Sequence, residues 1–491
     1  MIQKKKSAFY AWLNDNKVVL LTVFGIYQIV ILAIGIVNYP YIDDIYRQLK
    51  GSTNFALHYS RWGSEIASWI VQGSRHLTDM GLTTPILTAA ILAVASIIAL
   101  HCLTEKITIL LAIASTIIGL NPWFLQCISF RFDSPYMALS ILFSFLPFLW
   151  WKKDKYIFFG MSFISLLLMY NTYQSSSGIY IIMVLALSLK DLLSGKLVQN
   201  VSIQIVLSAL GYVLSTLAYV LETTFNAHLV DRGDVVKTAS LKDLPETVNS
   251  NIKMYLTSIY DQSSKVWILL FSLIVCLFIL SVLLTSHKSP IKATIYSLVY
   301  LVLAAIFSYG VYLIFIENLA ELQPRYAYGF SIFVAITIIL LLDNVSYLRI
   351  KVPVQIVTCL FCYYVLTFPL VYASTLHYQF NAFETQSVML ATDLKELVNS
   401  STPTVYANRL FKNSPIFDNT SRNYKLLQKL VPDNASLYWP NQQLFTTITG
   451  MKRKIMPFNP AVMSLDEQNL KVNNYYYKIY KQNNFIYIIY K

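Results

Sequence analysis

Apolar residues gather in long runs at 18–37, 84–103, 107–124, 134–151, 156–172, 177–190, 201–221, 265–285, 293–316, 328–342 and 353–374, separated by polar stretches. A helix of roughly twenty residues crosses the hydrocarbon core, and lipid offers backbone groups no hydrogen-bond partner, so such runs are helices. The pattern predicts a polytopic α-helical membrane protein with about eleven transmembrane helices over residues 1–374. The tail, 375–491, breaks this pattern. TVYANRLF alternates, SRNYKLLQKLVPDNASLYW has helical spacing, and YYYKIYKQNNFIYIIYK reads as two strands turning at Gln482-Asn483-Asn484. These segments predict a small α/β domain ending in a hairpin. No internal repeat is visible, which argues against repeat-built transporter folds.

Composition agrees with the pattern. Of 491 residues, 56% are hydrophobic and 13% charged, and mean hydropathy is +0.53. Soluble domains carry about a quarter charged residues, so this chain needs the bilayer as solvent. Much of the +13 net charge lies in short loops, among them TEK, WKKDK, KDLLSGK, SHKSPIK and YLRIK, with KKK at 4–6. The positive-inside rule accounts for it there and places those loops in the cytoplasm, which removes the case for nucleic acid. The external set is then 38–83, 121–133, the bend near 171–177, 222–264, 317–327 and the tail. The N-terminal run is too long, and lacks the cleavage site, for a signal peptide; it reads as an uncleaved first helix. Cys102, Cys127, Cys276, Cys359 and Cys362 show no metal-ligand spacing with histidine. Asn434-Ala435-Ser436 fits a glycosylation sequon, a pattern short enough to arise by chance.

The unusual polar residues fall in the external set. In DDIYRQLKG, a short helix with Asp43 near its N-cap and Gly51 as its stop puts Arg47 one turn from Asp43 and Asp44. One role for the carboxylates is a solvated helix cap. The other is a general base beside basic residues that hold an anion. NFALHYSRWGSEIASWIVQGS follows, with Arg61 and with Phe55, Leu57, Trp62, Ile66, Trp69 and Ile70 spaced for an amphipathic helix lying in the interface. Arg131 and Asp133 precede the run at 134, either as a site or as an incidental ion pair in an aromatic belt. Tyr170, Asn171, Tyr173, Gln174 and Ser175 interrupt apolar sequence, as a ligand site or as a polar patch between helices. Glu317, Glu321 and Arg325 flank another helix start. Arginine suits a phosphate because its charge is permanent and its donors form a planar fork. Taken together, carboxylates and arginines on one membrane face favour an enzyme with an external site over a transporter, which would carry ionisable groups near the midplane.

The Asp43-Asp44 pair just after the first helix, ISFRFDSPYMALS at 128–140 and YQSSSGIYIIMVLAL at 173–187 resemble the serotype-converting O-antigen glucosyltransferases of bacteria and their phages, integral-membrane enzymes of the GT-C type. The resemblance runs over roughly the first two hundred residues. It implies transfer of glucose from undecaprenyl-phosphate-glucose to lipopolysaccharide O-antigen repeats, on the periplasmic face of the bacterial inner membrane. The N-terminus would be cytoplasmic and the C-terminal domain periplasmic. It makes Asp44 or Asp43 the catalytic base, with Asp44 favoured, of an inverting displacement. Arg47, Arg61, Arg131 and Arg325 become candidates for the donor phosphate, and Asp133, Tyr173, Gln174 and Glu317 for sugar contacts. No cofactor is required; a divalent ion held by Asp43 or Asp44 is the alternative. The basic MKRK at 451–454 departs from the family pattern. Competing functions are transfer to lipid A or another envelope glycan, export or flipping of a lipid-linked sugar, and O-antigen polymerisation.

Overall fold

A computed structural model describes residues 12–229, 237–345, 349–398, 404–461, 465–482 and 484–491. The basic start at 4–6, part of YLRIK, part of loop 222–264 and Asn483 of the predicted turn lie outside the described residues.

Among the described residues, seven helices are long and apolar enough to cross a membrane: Lys17–Val37, Thr83–Leu103, Gln174–Leu193, Val198–Thr223, Lys265–Thr285, Pro290–Phe307 and Lys351–Lys395. Four of the predicted runs fold as shorter apolar helices, Ile109–Leu120, Ser134–Trp150, Lys155–Tyr170 and Tyr328–Asn344. Side-chain exposure sorts them. Lys265–Thr285 buries Trp267, Leu270, Ile274 and Phe278 on one face and exposes Leu269, Leu273, Leu280 and Leu284 on the other, as a peripheral helix in lipid would. Tyr328–Asn344 is buried almost all round and forms the centre of its bundle.

Two boundaries and one added helix differ from the sequence expectation. The run 293–316 stops at Phe307 because Gly310 takes φ +59° and a 3-10 turn, Gly310–Ile314, follows. The last helix continues to Lys395, past the end of its apolar run. Within loop 222–264 an additional helix, Leu244–Gln262, is amphipathic and ties back through Asn251, whose Nδ2 donates to the carbonyls of Leu313 (3.0 Å) and Phe315 (2.7 Å).

The chain divides into two compact units, Met1–Ile36 with Gly51–Leu370 and Val37–Lys50 with Val371–Lys491. In the first, polar bonds join loops at each end of the bundle. At one end Lys190 Nζ donates to the Leu103 carbonyl (2.6 Å) and to Asp343 (2.7 Å), linking the C-terminal ends of three helices. At the other, Gln126 Nε2 donates to Gln323 Oε1 (2.5 Å), Arg61 Nε to Gln174 Oε1 (3.0 Å), and Asn226 Nδ2 to the Ala56 carbonyl (3.0 Å). Loops far apart in sequence therefore meet in one place.

The second unit is built on a five-stranded sheet of β1 (Thr404–Ala407), β2 (Ile455–Pro457), β3 (Leu470–Asn473), β4 (Tyr477–Gln482) and β5 (Phe485–Tyr490), in the order β2-β1-β5-β4-β3. β1 is parallel to β2 and β5, and the antiparallel β4–β5 pair is the hairpin expected from the sequence. One sheet face packs Val405, Ala407, Ile486 and Ile488 against Phe383, Leu390 and Leu394. Asn434 is fully buried and bonded to the Gln379 carbonyl, so its sequon is structural.

Candidate functional site

In the first unit the bend at 171–177 is the hub. Each serine of its SSS run binds a different element. Ser175 meets Tyr312 Oη (2.7 Å), Ser176 meets Tyr328 Oη (2.7 Å), and Ser177 Oγ accepts from the Val311 N–H (3.0 Å). The next residue must be small, since a Cβ on Gly178 would strike the Ser308 carbonyl. This scaffold presents Tyr173 and Gln174. The Arg61 guanidinium lies over the Tyr173 ring at 4.5 Å and the Tyr59 ring at 5.0 Å. Gln174 accepts its Nε–H and donates to Tyr219 Oη (2.6 Å), which fixes the guanidinium plane.

Arg325 enters the same neighbourhood from the loop before Tyr328. Its guanidinium lies over Phe130 (5.0 Å) and Tyr326 (5.3 Å), its backbone N–H donates to Gln126 Oε1 (3.1 Å), and its Nε is buried without a hydrogen bond. Burial pushes the Cys127 thiol up to about 12, and the Arg325 and Arg61 charges only partly oppose this, so both arginines sit close to a neutral thiol. Neither arginine makes an ion pair among the described residues. Aromatic stacking gives each charge about 0.5–2 kcal/mol, and a partly buried arginine without a carboxylate partner can accept an anion.

The other two candidate arginines are committed. Arg131 Nε lies 3.3 Å from Asp79 Oδ1, and Arg47 Nη2 lies 3.7 Å from Asp43 Oδ2. Arg47 belongs to the second unit, as do both aspartates. There the chain turns tightly through Ile42 (φ +43°) into helix Asp44–Lys50. Asp44 is fully buried and its Oδ2 accepts from the Tyr41 N–H (3.2 Å), while Asp43 keeps 31% of its side chain exposed. Helix Asp44–Lys50 leaves Asp43 at the N-cap position, as expected, but the more accessible carboxylate is that of Asp43 and not that of Asp44, the favoured base. Ile45 joins the sheet core, and Tyr41 Oη donates to the Leu430 carbonyl (2.7 Å).

Asp133 is buried close to Cys127. Glu317 follows the Thr238–Phe315 bridge and makes no hydrogen bond or ion pair among the described residues, so nothing draws it to Arg61 or Arg325. Among those residues no three His, Cys, Asp or Glu side chains form a group that could hold a metal. Tyr59, Gln126, Phe130, Tyr219 and Tyr326 complete the arginine surroundings. Sequence reading passed over them because an aromatic or amide near a membrane surface looks the same whether or not it faces an arginine.

The sequence profile described as Glucosyl transferase GtrII matches residues 32–336, more than half of the chain. The chain belongs to the GtrII glucosyl transferase family. This is the family of serotype-converting O-antigen glucosyltransferases that the sequence motifs resemble, and membership makes the protein a glycosyltransferase. All ten candidate residues fall inside the GtrII match. No curated protein matches the chain.

Proposed function

We propose that this protein transfers glucose from undecaprenyl-phosphate-glucose to O-antigen repeats at the periplasmic face of the inner membrane. The four shorter apolar helices then cross with the seven long ones as an eleven-helix GT-C-type domain of residues 1–374, and 375–491 is a periplasmic domain that orients the polysaccharide. The observation that carries this reading is the pair Arg61 and Arg325, which lack carboxylate partners among the described residues while Arg47 and Arg131 have them. An unpaired, ring-stacked arginine pair suits a lipid phosphate that must be held before and after the sugar leaves.

In the reaction, the acceptor hydroxyl oxygen attacks the anomeric carbon as the bond from that carbon to the phosphate oxygen breaks. The hydroxyl proton passes to a carboxylate, and polyprenyl phosphate departs with the bonding electrons. A single displacement inverts the centre. Asp43 is the better base, because its carboxylate is accessible whereas Asp44 is fully buried and holds the Tyr41 turn. Asp133, Tyr173 and Gln174 line the donor side, and no metal is invoked. Asp43→Asn should lower turnover by about 10²–10⁴-fold with donor binding intact. Normal transfer by Asp43→Asn would reassign the base.

A further inference from the structure

Helix Trp62–Gln72 is amphipathic in the reverse of the soluble sense. Its buried residues are Ser64, Glu65 and Ser68, whereas Trp62 (37% exposed), Ile66 (43%) and Ile70 (75%) form an outward stripe. Polar bonds explain the inner face. Ser64 donates from its N–H to the Asn171 carbonyl (3.1 Å) and from Oγ to the Thr172 carbonyl (3.0 Å), and Glu65 Oε2 accepts from Thr53 Oγ1 (3.1 Å) and the Ala56 N–H (3.2 Å). Gly63 permits the approach, since a Cβ there would lie 2.9 Å from the Asn171 carbonyl oxygen. These bonds lock the helix so that its apolar side faces away from the bundle. The stripe repeats every four residues and runs about 12 Å along the axis. It begins at the residue after Arg61.

We propose that this stripe is a seat for the first part of the donor's polyisoprenoid chain, with Arg61 holding the phosphate at its head. The proposal rests on the lipid-phosphate reading of Arg61. Trp62 follows Arg61 directly in the chain and opens the stripe, and a hydrocarbon chain suits three large apolar side chains on the outside of a helix whose polar residues are inside. Head group and tail are read by one continuous segment, residues 61–70.

The test is donor kinetics in purified full-length enzyme, using glucose on a long polyprenyl phosphate and on a short soluble prenyl phosphate. With Ile66→Ser/Ile70→Ser, KM for the long donor should rise about tenfold while KM for the short donor moves less than about twofold. Ile157→Ser, at an exposed apolar site on another helix, should show no such dependence on chain length. Equal increases for both donors would mean that the helix only supports Arg61, and no change for either would mean that the chain runs elsewhere; both results overturn the proposal. Arg61→Ala separates the two levels. It should raise KM for both donors, and if it raises neither, the phosphate reading itself fails.

Discussion

Gln174 is the residue whose removal best isolates the orientation of Arg61 from its charge. Its Oε1 accepts the Arg61 Nε–H at 3.0 Å and its Nε2 donates to Tyr219 at 2.6 Å, so the amide aims the guanidinium as well as touching it. A hydrogen bond to a charged group contributes about 1.5–3 kcal/mol. Stacking on Tyr173 and Tyr59 survives its loss and keeps about 1–2 kcal/mol of restraint. The net loss at the donor phosphate should therefore be about 1.4 kcal/mol, or roughly tenfold in affinity. Gln174→Met, which keeps the length and removes the acceptor, should raise donor KM about tenfold and leave kcat within about threefold. Gln174→Glu should hold Arg61 in place and still raise KM, because the new carboxylate competes with the phosphate. The assay is initial-rate transfer of labelled glucose across donor concentrations, with thermal unfolding as the check on folding. Unchanged KM in both variants would refute the positioning role, and so would a fall confined to kcat.

Three further outcomes follow from the fold and the second loop. Lys190→Met should remove the cation shared by Asp343 and the Leu103 carbonyl and cost about 1.5–3 kcal/mol, read as a lower melting temperature with donor KM unchanged. Gly310→Ala should destabilise by about 1–3 kcal/mol, since the site combines φ +59° with a Cβ position already filled by Ser177 Oγ; thermal unfolding checks it. Arg131→Ala should cost stability through its Asp79 pair and change donor KM less than about threefold, as titration with donor would show.

Much of the membrane fold was legible because lipid imposes one rule along each apolar run. Lys265–Thr285 falls where its run predicts, and most other helices begin or end within a few residues of theirs. Legibility failed where the solvent changed. After 374 the last helix turns amphipathic, with Phe383, Leu390 and Leu394 on the sheet core, so hydropathy stops while hydrogen bonding continues to Lys395. Leu244–Gln262 was missed because its buried face is made largely of polar and aromatic residues, Asn251, Tyr255, Ser258 and Gln262. The candidate residues were found as types near one surface, but their partners were not. Arg61 meets Gln174 across 113 positions, and Arg131 meets Asp79 across helices Thr83–Leu103 and Ile109–Leu120, and neither pairing leaves a local signal. The aspartate pair shows the same limit, since two adjacent residues of one type follow the turn at Ile42 with only Asp44 buried.

The proposed role of Arg61 and Arg325 is to hold the phosphate of a lipid-linked glucose. Its most direct test is transfer of labelled glucose from undecaprenyl-phosphate-glucose to O-antigen in membranes containing either wild-type protein or the Arg61→Ala/Arg325→Ala variant. Wild type should transfer, and the double variant should lose at least about 100-fold in kcat/KM, as expected for removing two charge-assisted contacts. Equal transfer by both proteins would contradict the account.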